Sequence, residues 1–196
     1  MDKYLPDGCA VPIWSLLTKW HIELRIAKPR ISKLGDYRPP LKSGPHRISV
    51  NQGLNKYSFL ITLLHEIAHA IVWDKYKNRV TPHGSEWKLE YNKISVPFLN
   101  NGVYPSSVEN VLRHHMNNPK AGHFSDTRLV KVLADYDSDQ TLLEDLEFGA
   151  KFVIKGGRSF AKGPLQRTRF KCQSLQNKKL YLVHKLTPVS LIHQAI

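Results

Sequence analysis

Cysteine is almost missing from this chain: Cys9 and Cys172 stand far apart, with no C-x-x-C spacing. That excludes a disulfide framework and a thiolate metal site, and both are expected to be small buried hydrophobes. No apolar run approaches the ~20 residues that cross a bilayer, because Thr62, His65, Glu66 and His69 interrupt the best candidate. The opening "MDKYLPDGCAVPIW" lacks the basic start, apolar middle and small-residue cleavage site of a secretory signal. The expected location is the cytoplasm, or the nucleus in a eukaryote, with no membrane partner. Internal repeats and low-complexity tracts are absent too. Residues 148–196 contain no acidic residue at all.

What the chain does have is positive charge and enough apolar residues for a core. It has 196 residues, of which 41% are hydrophobic, room for one ordinary domain or a domain with a small module. Lys and Arg number 29 against 16 Asp and Glu, a net charge of +13. Such an excess favours a polyanionic partner. Ten of those cations fall in residues 148–196, leaving 19 basic against 16 acidic residues in 1–147. The acid-free end is therefore the one expected to face the polyanion.

Periodicity supplies an element order. "AVPIWSLLTKW" suits a first helix, and "HIELRIAK" alternates Ile22, Leu24 and Ile26 with polar neighbours as a half-buried strand does. Strands follow at about 32–37 and at "HRISVN", separated by "RPPLKSGP". A long helix at about 56–76 comes next, then the loop "KNRVTPHG" and helices at "SEWKLEYNKIS" and "SSVENVLRHHM", the latter capped by Ser106 or Ser107. A further helix over 127–136 leads into the acidic "ADYDSDQTLLEDLEFG". The segments "AKFVIKG", "RSFAKG", "QRTRFKCQ", "KKLYLVHKL" and "PVSLI" read as strands of a small antiparallel barrel or folded ribbon. The expected organisation is 1–122, a connector at 123–147 and a basic β-rich module at 148–196.

The long helix carries chemistry. His65 and His69 are four residues apart, so on a helix both imidazoles aim at one point, flanked by Glu66. This is H-E-x-x-H, the spacing in which two imidazoles bind zinc and the glutamate handles a proton. Its surroundings, Phe59 to Trp73, are apolar nearly all round, so the helix is expected to be buried. A buried glutamate is costly unless paired, hydrogen-bonded or near a cation, and a bound dication would compensate it. The bland reading is a pair of core histidines bonded to carbonyls and a glutamate paired with an Arg. A third ligand is needed for catalytic zinc. The extended H-x-x-G-x-x-H form fails, with Val72 and Lys75 in the key places. His83 in "TPHGSEW" is the favoured candidate, because Pro82 and Gly84 let the chain bend back; Glu86 and Glu90 are the carboxylate alternatives.

"HEIAHAIVW" followed by "PHGSEWK" resembles the SprT/Spartan family of zinc metalloproteases, whose mark is HExxH and then His-Gly-x-x-Trp. The resemblance covers roughly residues 10–95. It implies an α+β fold: a zincin-like domain of helices with a short antiparallel sheet and HExxH on a buried helix, followed here by a small all-β basic module. It implies one zinc ion held by His65, His69 and His83, Glu66 as general base and Trp87 packing beside the site. It further implies protein substrates bound or crosslinked to DNA. Many relatives append a four-cysteine zinc ribbon; this chain, with Cys172 alone in its tail, does not, so a second zinc is not expected.

In "RTRFKCQ" alternation separates Arg167, Arg169 and Lys171 from Thr168, Phe170 and Cys172, so a strand would line three cations along one face for phosphates. Nothing spells a base-reading code, so DNA binding is expected to be sequence-independent. Tyr181 or Phe160 would stack on bases if exposed, although the core is the expected place for Phe160 and Phe170. The expected reaction is peptide hydrolysis by water acidified at zinc, with Glu66 taking and returning the proton. Two rivals remain: a peptidase specific for one partner and independent of DNA, and a non-enzymatic nucleic-acid-binding protein with a structural zinc. The second would need a fourth ligand, for which His114, His115 and His123 are candidates.

Overall fold

The structure, a computed structural model, describes residues 1–30, 33–119, 126–137 and 141–192. It divides into two compact units, Met1–Tyr136 and Asp137–Ile196.

The first unit begins with α1 (Ala10–Lys19) and strand β1 (Ile22–Ala27), followed by β2 (Gly35–Arg38) and β3 (His46–Asn51). Helices α2 (Lys56–Tyr76), α3 (Ser85–Leu99), α4 (Ser106–Met116) and α5 (Thr127–Ala134) complete it. The sheet has the order β1-β3-β2. β3 runs parallel to β1, with Leu24 opposite Ile48, and antiparallel to β2, with Tyr37 opposite Ile48. The expected wholly antiparallel sheet is thus corrected to a mixed one. Burial follows the order: β3, with Ile48 and Val50 buried, takes the centre, while β1 and β2 on either side are half exposed.

α2 is sealed into the core, with ten buried residues from Phe59 to Val72. Asn55 caps its start, accepting the Ser58 N–H at 2.8 Å. Lys77, at φ 55, ends it. Pro105 rather than Ser106 or Ser107 precedes α4, and the Ser107 hydroxyl instead meets Tyr136 Oη at 3.0 Å. α5, capped by Asp126, packs on α4.

The second unit is a seven-stranded sheet: β4 (Thr141–Leu142), β5 (Lys151–Ile154), β6 (Ser159–Ala161), β7 (Leu165–Gln166), β8 (Arg169–Ser174), β9 (Leu180–His184) and β10 (Pro188–Leu191). All its pairs are antiparallel. Leu143, Phe152, Phe160, Phe170 and Cys172 fill its core. Part of the acidic stretch expected to be a connector is built into this sheet, since Thr141 and Leu142 pair with β10. A buried cation secures it: the Lys162 ammonium donates to the carbonyls of Glu144, at 3.1 Å, and Leu146.

Candidate metal centre

Three imidazoles converge. The Nε2 atoms of His65 and His69 lie 3.3 Å apart, His69 and His83 2.9 Å, His83 and His65 3.1 Å. The two helix residues meet because they sit one turn apart on α2. His83 arrives from a bend in which it adopts φ 59 itself, an uncommon backbone for a residue with a Cβ. Gly84 then passes so near the Thr81 carbonyl that a Cβ would lie 2.9 Å from it. Expectation placed the flexibility on Pro82 and Gly84; the left-handed turn falls on the histidine.

No arrangement of ring protons satisfies such a triangle. Each Nε2 either carries a hydrogen or offers a lone pair, so at least one side must set donor against donor or acceptor against acceptor. Cation binding at the shared point relieves all three sides. Burial keeps the rings neutral and able to ligate: it holds His65 down at about 3, helped by the His69, His83 and His115 charges. His69 is held at about 4 by burial and then by His83, and His83 is lowered by burial. Among the described residues these three alone form a group that could hold a metal ion.

Trp87 walls the cluster, its ring centroid 4.6 Å from that of His65 and 4.8 Å from that of His83. Its indole N–H donates to the His65 carbonyl at 3.4 Å. Tyr91 stacks behind Trp87.

The front of the cluster opens on a cleft of about 270 Å³ lined by Gly35, Asp36, Tyr37, His65, Glu66, His69 and His83. Glu66 is buried, and its carboxyl is pushed up from 4.5 to about 7 by burial and then by Asp36, against the pull of Arg30 and Lys33. β2 passes so close to α2 at this point that a Cβ on Gly35 would run into the Glu66 carboxylate and lie 2.8 Å from its Cγ.

Tyr37, two residues on, stacks against His69 with ring centroids 6.0 Å apart. Its hydroxyl lies 3.0 Å from Nδ1 of His46, whose Nε2 lies 3.2 Å from Oδ1 of Asp74. Burial, then the Asp74 charge, push its phenol above the usual range, so Tyr37 is a neutral hydroxyl. Sequence reasoning missed Gly35, Asp36, Tyr37 and His46; the only signal was that they fall in the strands expected at about 32–37 and at "HRISVN".

A family model described as SprT-like family matches residues 18–116. The chain belongs to the SprT-like family. No curated protein and no solved structure matches it. The matched span of this SprT-like chain holds all three imidazoles and Glu66, and the family is one of metallopeptidase-type proteins.

The other candidate residues lie elsewhere. Glu90 is buried in an ion pair with Lys75 at 2.6 Å, and Glu86 accepts from the Ser85 hydroxyl, so neither joins the imidazoles. His115 pairs with Asp126 at 2.8 Å, His114 is exposed, and His123 lies outside the described residues. In the second unit, Arg169 and Lys171 are exposed on β8 while Phe170 and Cys172 are buried. Arg167 does not share their strand: it occupies, at φ 56, the two-residue turn between β7 and β8. Phe160 and Phe170 are core residues, and Tyr181 packs edge-on against Phe160, its hydroxyl accepting from Asn177, rather than standing out to stack on a base.

No described helix is long and apolar enough to cross a membrane.

Proposed function

We propose that this SprT-like chain is a zinc-dependent endopeptidase acting on proteins bound or crosslinked to DNA. The observation that carries the reading is the triangle of Nε2 atoms beside a buried carboxylate in an open cleft. Ligands about 2.0–2.1 Å from a tetrahedral ion stand about 3.3 Å from each other, so spacings of 2.9–3.3 Å and an all-imidazole donor set suit zinc. Three protein ligands leave a coordination place for water, which favours catalysis over the structural-zinc alternative.

Bound there, zinc would supply Lewis-acid chemistry, polarising a peptide carbonyl and acidifying water. The chain's own residues would do the rest. Glu66, held near neutrality by burial and fixed from the front by the Gly35 backbone, takes the proton of the attacking water and returns it to the leaving amine. β2 pairs only with β3 among the described residues, so its outer edge is free to line up an extended peptide by backbone hydrogen bonds. Tyr37 lines the cleft beside the reacting position, and Trp87 packs against the His65 ring. The net charge of +13, concentrated in 148–196, supports nucleic acid as the partner that brings substrates in, with Arg169 and Lys171 on β8 and Arg167 at its turn as the phosphate contacts.

The test uses zinc-loaded protein and a basic substrate protein, with and without single-stranded DNA. The parent chain should fragment the substrate faster with DNA present, whereas Glu66→Gln should retain zinc and cleave nothing. Cleavage by Glu66→Gln at the parental rate would overturn the assignment. Cleavage indifferent to DNA would point to the partner-specific peptidase.

A further inference from the structure

Antiparallel neighbours alternate between pairs that exchange backbone hydrogen bonds and pairs that do not. In the β8–β9 hairpin, Lys185 N–H donates to the Thr168 carbonyl and Ser174 N–H to the Lys179 carbonyl, which fixes that alternation. Tyr181 and Val183, opposite Cys172 and Phe170, therefore bond to β8. The N–H and C=O groups of Leu180 and Leu182 point away from it. β8 is the one strand that β9 pairs with among the described residues, so those groups form a bare edge.

The same two leucines are 56% and 54% exposed. At Leu180 and Leu182, among the described residues, side chains and outward backbone groups thus both lack a cover. Edges of this kind are normally blunted by charge, proline or a bulge, because they recruit other strands. Here the cations stand around the strand instead of within it: Lys178 and Lys179 precede it and Lys171 lies opposite Leu182, whereas Lys185, which follows it, is already paired with Glu144 at 3.4 Å. β9 itself, "LYLVH", carries no Lys, Arg, Asp or Glu.

Charge selects the occupant. A second copy would bring its own Lys171, Lys178 and Lys179 to the same edge, adding cations to cations. A strand with an acidic end meets opposite charge at Lys178 and Lys179. We propose that β9 is a docking edge for an extended segment of a partner protein, with β-branched residues at its centre and acidic residues at the end that meets Lys178 and Lys179. The added strand continues the sheet past β9, its central side chains covering Leu180 and Leu182.

The test uses the full chain and a short synthetic peptide with Val and Thr alternating at its centre and Glu at both ends. A peptide with the same centre and Lys ends, and an oligo(dT), are compared with it. Binding is followed by fluorescence anisotropy, and its place by amide hydrogen exchange. The Glu-ended peptide should bind at least about tenfold tighter than the Lys-ended one and slow exchange at the amides of Leu180 and Leu182. The double variant Lys178→Glu with Lys179→Glu leaves the backbone unaltered and should narrow or reverse the preference. Leu182→Pro, which removes an outward N–H, should weaken binding about tenfold while Leu182→Thr spares it. Equal affinity for the two peptides, or binding without protection at those two amides, overturns the proposal. So does protection of both amides in the free protein, which would mean a second copy or the chain's own tail already covers the edge. Protection by oligo(dT) alone would assign the edge to nucleic acid instead.

Discussion

Glu66 keeps its carboxyl where burial and Asp36 both oppose a negative charge, and that cost has a definite sign in metal-free protein. A group raised from 4.5 to about 7 on folding contributes stability below 4.5 and loses it as pH rises through 7. At about 1.4 kcal/mol per unit, the loss is on the order of 3 kcal/mol. Metal-free Glu66→Gln should therefore melt at higher temperature than the parent at pH 8, with the gap closing by about pH 4; a constant gap would contradict this account. His65 and His69, lowered on folding, work in the opposite direction in both proteins, stabilising above 6.5 and losing that contribution as pH falls toward about 4 and 3. Gly35→Ala should cost about 1–3 kcal/mol in urea unfolding, because the added methyl has nowhere to go but into Glu66 or the nearby Thr62. His65, Glu66 and His69 were legible in the sequence because helical spacing alone brings them together. Gly35 was not, because its contact with Glu66 depends on a strand folding back over a helix from far along the chain.

At the scale of elements, α2 is held at its start by one asparagine that works twice. Asn55 Oδ1 accepts from Ser58 N–H, and its Nδ2 donates to the Leu133 carbonyl at the end of α5 at 2.9 Å. Asn55→Ala should destabilise the first unit by about 1–2 kcal/mol, read as a lower urea midpoint with the slope unchanged. The helices were readable from apolar period and punctuation, and α3 differs mainly in running on through Pro97 to Leu99. Strand neighbours were not readable: β1 skips its successor and pairs with β3, a non-local pairing that no local signal announces. The turn at Arg167 was equally silent, since a hairpin loop with positive φ normally announces itself by glycine or asparagine and here reads Arg-Thr. Assuming a continuous strand there put three cations in a row where the chain has two and a turn.

Across the whole molecule, charge and chemistry are separated along the sequence. The imidazole cluster belongs to residues 1–136, while the acid-free run of cations belongs to the second unit, each with a core of its own. If the second unit grips phosphates through β8, affinity for single-stranded DNA should fall steeply with salt. Replacing Arg169 and Lys171 by Gln should then reduce the log–log slope by about 1.4 and weaken all sequences alike. An unchanged slope would remove β8 from the interface. The parallel pairing of β1 with β3 also bears on how the chain is made. During synthesis β1 leaves the ribosome before β3, the one strand it pairs with among the described residues. For that interval Ile22, Leu24 and Ile26 stand bare, a brief window in which a chaperone, or another nascent chain, competes with the protein's own third strand.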